Sequence, residues 1–431
     1  MVQVSAKRDQ PETEELVELR VERIGAQGDG IAQYRDGPVF LPFTVPGDHV
    51  RARLGARRGG GYEARVVETL AAGSGHSDPR CRHFGICGGC ALQHLDPDAY
   101  RRVKLATLLA ALERVGIDRA VVGPLRIVPP ARRRARLGLQ RPRDPAQPAQ
   151  IGYRERFRNN LVDLCECPVL EPVLFAVLTE LRRFAGELVP PGGRADITLT
   201  RTDSGVDVLI EAPHRPGLQS FEALAKFAIE RDLPRIFWRG PGYETPVIER
   251  RPVRAVMSGV AVPYPPGGFL QVSAAAEKIL VGEVLAGVGS CHPVLDLFAG
   301  LGTFSFALAR NASVHAVEGE ESAANALAAA ASQHPQVSVE RRDLARHPLP
   351  PESLAHYAAA VFDPPRAGAA RQAAALATSA IERIVAVSCN TATFARDAAK
   401  LVAGGYRLER VTPVDQFVWT PHLELVAVFR R

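Results

Sequence analysis

Val294–Ala309 reads VLDLFAGLGTFSFALA. A short apolar run ends in Asp296, a tight Gly300-x-Gly302 turn follows, and a helical segment begins after it. Strand, glycine turn and helix start are the opening of a doubly wound nucleotide-binding sheet. The alternation continues, with strands expected at Ser313–Glu318, Val337–Arg341, Ala359–Phe362 and Arg383–Val387 and an alanine-rich helix at Glu320–Ser332. The turn lacks the third glycine of a dinucleotide fingerprint, so close backbone approach is kept while the pyrophosphate cradle is lost. An adenosine ligand without phosphates fits such a turn, and S-adenosylmethionine is the common one. Glu318 ends the second strand, where a carboxylate can accept from both ribose hydroxyls. The bland alternative is an ordinary βα turn.

The chain has 431 residues, room for two or three domains. It is 46% apolar, as a globular protein requires, and its net charge of +6 is compatible with a polyanionic partner. The N-terminus, MVQVSAKRDQPETEE, is polar, is expected to be disordered and carries no cleavable signal. No apolar run is long enough to span a membrane. A soluble, cytoplasmic protein is expected.

Thr13–Leu70 reads as a small β domain, with strands at Leu16–Ile24, Pro38–Phe43, His49–Leu54 and Tyr62–Glu68, a glycine-rich turn at Gly25–Gly30 and a hairpin tip at Gly59-Gly60-Gly61. These four candidates, read as part of a set of five short strands, suggest an oligonucleotide-binding kind of barrel. Arg51, Arg53, Arg57, Arg58 and Arg65 give it a basic side, or simply a solvated face. The run "GDGIA…VFLPFTVPGDHVRARL" resembles a TRAM domain, an RNA-binding barrel attached to RNA-modifying enzymes.

Seven cysteines, an odd number without a secretion signal, argue against a disulfide framework. Cys81-x5-Cys87-x2-Cys90 puts three thiols in one glycine-rich loop, and converging thiolates need a cation or cluster to offset their repulsion. Cys165 and Cys167 are candidate fourth ligands, and zinc and [4Fe–4S] suit four thiolates equally. Gln93–Gly116 reads as a helix. Between Arg126 and Arg158 arginines far outnumber the two acids, Asp144 and Glu155, and Tyr153 and Phe157 interleave with Arg154, Arg156 and Arg158. Arginine forks suit phosphates and aromatics stack on unpaired bases, although charge runs also serve as solvated faces. Val169–Gly186 reads as helix and Asp196–Glu211 as a hairpin turning at Asp203-Ser204-Gly205.

Three further candidates follow strands of the C-terminal sheet. Asp343 could accept from an adenine amino group, Asp363-Pro-Pro-Arg366 forms a stiffened loop, and Ser388-Cys389-Asn390 sets a thiol beside the crevice. Glu424 opens the last strand, Leu425–Phe429. The competing readings are a buried small residue for Cys389 and an edge-strand solubilising charge for Glu424.

Together, Cys81-x5-Cys87-x2-Cys90, "FLQVS", "DLFAGLGTF", "DPPR", "SCN" and "HLE" resemble the uracil-5 RNA methyltransferase family over nearly the whole chain. The resemblance implies a TRAM-like barrel at 13–72, a central α+β domain with the cysteine cluster and basic region at 73–262, and a Rossmann-like S-adenosylmethionine-dependent methyltransferase domain at 263–431. It implies a [4Fe–4S] cluster on Cys81, Cys87, Cys90 and Cys167. It further implies cofactor contacts from Gln271, Phe298, Thr303, Glu318, Asp343 and Asp363 beside Gly300 and Gly302, with Cys389 as nucleophile and Glu424 as base. Ser273, Thr303 and Thr391 stand where the family commonly has asparagine, asparagine and proline.

A thiol and a carboxylate suit this chemistry. Thiolate addition at carbon 6 of uracil turns the ring into an enolate and makes carbon 5 nucleophilic. After methylation, a base removes the carbon-5 proton so that the thiol can leave. The base must be unstacked, so a single-stranded or flipped uridine is expected. The resemblance points to 23S rRNA, with tRNA as the alternative, and to a monomer that binds neither DNA nor membrane. The rival classes are an amine-directed methyltransferase with Cys389 inert and a catalytically inactive RNA-binding protein.

Overall fold

The computed structural model describes residues 15–431 apart from Pro145 and Phe157. The expected start of the β domain at Thr13, the reading of the first fourteen residues, Phe157 and the Arg58 side chain therefore lie outside the described residues. Contacts divide the chain into two units, one running to Thr107 and taking in Trp419–Pro421, the other Leu108–Val418 with His422–Arg431.

The first unit contains six strands rather than five: Leu16–Arg20, Arg23–Ile24, Gly30–Tyr34, Gly37–Leu41, His49–Arg58 and Gly61–Ala71. The expected first strand is broken where Val21 donates its N–H to Asp48 O, and Gly30–Tyr34 lies unannounced behind the glycine run. Alternate residues such as Val17, Leu19, Val50 and Ala52 fill one core, as a period of two requires. Two of the arginines on the basic side are paired, Arg51 with Glu18 and Glu68, and Arg57 with Asp36.

The second unit contains two large sheets and a two-stranded one, Arg254–Met257 with Val260–Pro263. The central one has six strands in the spatial order Tyr243–Glu249, Arg235–Gly240, Gly205–Glu211, Arg194–Thr202, Arg134–Gln140 and Gln150–Gly152. Its apolar face, with Leu139, Leu199, Val208 and Trp238, is buried, while its other face carries the buried Asp207–Arg235 pair at 2.8 Å. Across that polar face runs the segment 264–270. Arg235 Nη2 donates to Tyr264 O (3.0 Å), Arg134 Nη2 to Gly267 O (3.2 Å) and the Tyr264 hydroxyl to Gly268 O (2.5 Å). These bonds fix the approach to Gln271.

The other sheet has strands β1 (Val294–Leu297), β2 (Val314–Glu318), β3 (Val337–Arg341), β4 (Ala359–Phe362), β5 (Arg383–Ser388), β6 (Arg407–Asp415) and β7 (Glu424–Arg430). They lie in the order β3-β2-β1-β4-β5-β7-β6, with Arg126–Ile127 beyond β6. β1 to β5 are parallel and β7 is antiparallel to both neighbours. Parallel strands covered on both faces read as continuous apolar runs, and β1 and β4 are buried throughout. Helix Ala274–Val288, capped by the Ser273 side chain on Ala276 N, packs Leu280, Val284 and Val288 against β1, β4 and β5. Ser273 thus serves as an N-cap.

Candidate active site

β1 and β4 are neighbours at which the strand order reverses, so the ligand crevice of a doubly wound sheet opens beyond Leu297 and Phe362. The turn after β1 is left-handed at Phe298 (φ 62°), Gly300 (56°) and Gly302 (86°). A Cβ on Gly302 would lie 2.7 Å from both Leu327 and Phe306, so only glycine fits. Phe298 holds a conformation costing about 1–3 kcal/mol for a residue with a side chain, strain of the kind found at ligand sites.

Glu318 ends β2, as the sequence led us to expect. Its Oε2 accepts from Gly300 N (2.7 Å) and its Oε1 from Glu320 N (2.7 Å). Each oxygen retains a further acceptor position for a hydroxyl. The carboxylate therefore braces the glycine turn while remaining able to hold a ribose. Thr303 sets its hydroxyl 3.6 Å from the Met257 sulfur. Asp343, beyond β3, is exposed, and its Oδ1 accepts from Ala345 N (3.0 Å) and Arg346 N (3.2 Å). Glu318→Ala should weaken S-adenosylhomocysteine binding on the order of 10–100-fold, from about 1.5–3 kcal/mol per charge-assisted bond. Titration calorimetry, with circular dichroism as the fold control, checks this. Unchanged affinity would remove Glu318 from the site.

The other side of the crevice is set by strand register. Ser388 pairs with Leu425, and Val414 with Glu424. Because β7 runs against its neighbours, its first residue lies where the parallel strands end. Cys389, one residue past β5, and Glu424 thus reach one edge on adjacent strands. Glu424 is not an edge-strand charge. Its strand lies between β5 and β6, and it is 3% exposed.

A chain of amides joins the acids. Gln271 Nε2 donates to Asp363 Oδ2 (3.4 Å), and Gln416 Nε2 donates to Gln271 Oε1 (3.0 Å) and to Glu424 Oε2 (2.6 Å). Burial pushes the Asp363 carboxyl up to about 7, with Gln271 opposing. Burial first and Asp363 second hold Glu424 well above the usual carboxylate range, against Gln416 and Arg366. Burial, then the Glu424 and Asp363 charges, push the Cys389 thiol up to about 11, with Arg366 opposing. The free protein therefore holds Cys389 as a thiol beside two carboxyls whose protonated forms burial favours. Asn390 caps helix Thr391–Ala403 by accepting from Ala392 N (3.0 Å) and Thr393 N (3.3 Å). Its Nδ2 donates to Arg366 O (3.2 Å), tying the Cys389 loop to the Asp363–Arg366 loop. Thr391 is the first helical residue, a position that proline suits but does not require.

Two residues escaped the sequence reading. Gln416 follows an unpredicted strand, β6, and nothing in its neighbourhood marks it. Arg133 belongs to the basic run, yet its Nε donates to Gln271 O (2.8 Å), its backbone N–H to Val272 O (2.9 Å), and its guanidinium pairs with Glu277. Part of that run is therefore internal bracing, not phosphate-binding surface. Arg154 and Arg194 are exposed and line a cleft of about 530 Å³ on the central sheet, remote in sequence from the crevice.

Asp296, buried in β1, accepts from the Ser305 hydroxyl (2.5 Å) on Oδ2, while its Oδ1 has no partner. Burial raises its carboxyl from 3.8 to about 7, with Ser305 opposing and Asp363 and Glu318 adding to the rise. Folding therefore favours the protonated form. Its stability contribution is complete below the ordinary value and is lost as pH rises through about 7. Between pH 6 and pH 8 the wild type should lose about 1.4 kcal/mol more than Asp296→Asn, by urea unfolding. Parallel curves for the two proteins would disprove this.

Among the described residues no three His, Cys, Asp or Glu side chains form a group set to hold a metal. Cys81, Cys87 and Cys90 belong to the first unit and Cys167, in the loop before helix Pro172–Leu181, to the second. No disulfide joins any cysteine. In the first loop Gly89 N–H donates to Cys87 Sγ at 3.4 Å.

A parallel sheet with a glycine turn after β1, an acid ending β2 and a thiol and carboxyl at the switch-point edge defines a methyltransferase-type enzyme. Residues 264–431 match the family model described as tRNA (Uracil-5-)-methyltransferase. The chain is 40% identical over 418 residues to an RNA methyltransferase of Brucella suis biovar 1, covering 96% of this chain and 98% of that one. It is 36% identical over 432 residues to 23S rRNA (uracil(1939)-C(5))-methyltransferase RlmD of Chromohalobacter salexigens, covering 96% and 89%. The fold is that of Pyrococcus abyssi tRNA (uracil-54, C5)-methyltransferase, solved with S-adenosyl-L-homocysteine, at a TM-score of 0.72 and 23% identity, covering 96% of this chain and 100% of that one. The chain belongs to the RNA (uracil-5-)-methyltransferase family, enzymes that use S-adenosylmethionine.

Proposed function

We propose that this protein makes 5-methyluridine at one unstacked uridine of 23S rRNA through a covalent bond between Cys389 and carbon 6. The observation carrying this reading is the strand register that brings Cys389 and Glu424 to one edge of the sheet. S-adenosylmethionine, when bound, supplies an electrophilic methyl group. Glu318, the Phe298–Thr303 turn, Gln271, Asp343 and Asp363 would hold it. Cys389 Sγ adds to carbon 6, its proton passing to a neighbouring carboxylate, and electron density moves to carbon 5. After methylation the Glu424 carboxylate takes the carbon-5 proton, the C5=C6 bond re-forms and Sγ departs. Phe269, 60% exposed two residues before Gln271, is suited to stacking on a displaced base. Arg154 and Arg194 suit the RNA backbone, as does the TRAM-like first unit. The 36% identity to the 23S rRNA enzyme supports the choice of RNA; tRNA is the second reading, favoured by the family model's description. The reading includes a cytoplasmic monomer. Among the described residues no helix is long and apolar enough to cross a membrane.

The test is RNA carrying 5-fluorouridine, in 23S rRNA and tRNA transcripts. Fluorine cannot leave as a cation, so the wild type should become trapped as a band shifted on a denaturing gel. An amine methylase or an inactive binder predicts no adduct.

The three thiols of the Cys81–Cys90 loop, with Cys167, are proposed to hold a [4Fe–4S] cluster with a structural role. The support is the donor set and its N–H···S bond. Anaerobically purified protein should be brown with iron and sulfide near four per chain. Cys167→Ser should lose the iron and Cys165→Ser keep it. One zinc in colourless protein would end this assignment.

A further inference from the structure

We infer that Gln416 is a positioning residue of the reaction, its amide fixing the Glu424 carboxyl for removal of the carbon-5 proton and linking it through Gln271 to Asp363. This rests on the covalent reading above. Gln416 is 3% exposed, Glu424 3% and Gln271 4%, so water does not compete for these bonds. One NH2 group serves two acceptors, Glu424 Oε2 at 2.6 Å and Gln271 Oε1 at 3.0 Å. The reverse amide orientation would press its oxygen against both, so the orientation is dictated. It leaves Gln416 Oε1 buried without a partner. An unsatisfied buried carbonyl costs about 1–3 kcal/mol, which the two bonds of the NH2 group to buried acceptors offset.

Its consequence lies in the second half of the cycle. Methyl transfer needs Cys389 bonded to carbon 6 and makes no demand on Glu424. Elimination needs a carboxylate, with one oxygen free to take the proton while the C6–S bond breaks. Gln416 donates to Oε2 and is the main neighbour favouring the ionised form of Glu424. Its bond leaves Oε1 as the oxygen that accepts. Gln271 gives the same amide a second anchor, so the carboxyl cannot rotate away without breaking the chain to Asp363.

Gln416→Met has nearly the same volume and no N–H. With tritiated S-adenosylmethionine and unmodified 23S rRNA and tRNA transcripts, we expect first-turnover methyl transfer to change far less than release of the adduct, and kcat and KM for RNA to fall together because a late step has slowed. The methylated RNA–protein adduct should then persist on the order of tenfold longer, part of the full effect of a general base. Gln416→Asn, which keeps the amide but withdraws it by one carbon, is the second variant should Met not fold; it should show the same defect in milder form. Wild-type adduct lifetimes in both variants, or a change in RNA affinity alone, would overturn the inference. Failure of the wild type to trap on 5-fluorouridine RNA would instead overturn the covalent reading beneath it.

Discussion

Glu424→Gln should put a methyl group on RNA and then fail to release it. The variant keeps Cys389, so addition to carbon 6 and methyl transfer proceed. The amide cannot take the carbon-5 proton, the ring stays saturated, and Sγ has no route out. Turnover should fall by about 10²–10⁴-fold, the span of general-base contributions. Protein and methyl-labelled RNA should migrate together on a denaturing gel, with close to one label per chain. Loss of turnover without an adduct would move Glu424 to an earlier step, and an active variant would remove it from the mechanism. Gln in place of Glu also keeps a partner for Gln416, so the buried network need not collapse.

Cys389→Ala should fail at the addition step, and completely. Without the thiol there is no adduct, carbon 5 stays unreactive toward a sulfonium methyl, and neither natural nor 5-fluorouridine RNA becomes linked. Cofactor affinity should be unchanged, because the glycine turn follows β1 and Glu318 ends β2, with β4 between them and the strand that leads to Cys389. Label appearing at carbon 5 with Cys389→Ala would disprove the nucleophile assignment. The pair of variants separates bond formation from bond release, which neither does alone.

The parallel half of the C-terminal sheet was open to sequence reading because each strand is a short apolar run closing on a polar residue. β3 and β4 fall on their expected limits. β6 was missed because Arg407–Asp415 mixes charges with Pro413 and alternates poorly. Gln416 was missed with it. Glu424 could be named from the motif, but its burial depends on which strand covers it, and that follows from β7 inserting between β5 and β6. The arginine run misled in a similar way. Composition marks charge but not direction, and Arg133 and Arg134 turn inward to hold the 264–271 segment. In the first unit, glycines at 28 and 30 masked a strand start, because turn residues and a closely packed strand residue look alike in one dimension.

β7 is buried from Glu424 to Phe429, with apolar residues on both faces after the first position. Such a strand has little hydrophobic reason to prefer one pairing over its neighbour, since a shift by one exposes nothing. Alignment must come from its polar ends. At one end Gln416 grips Glu424; at the other Arg431 donates to Ala377 O (2.7 Å) and Gly404 O (2.6 Å). Glu424 is therefore also a locating pin. A chain that zipped up one step out of phase would keep its topology and Cys389, yet turn the carboxyl to the wrong side of the sheet. On the mechanism proposed above, such a mispaired molecule would trap itself on its first substrate.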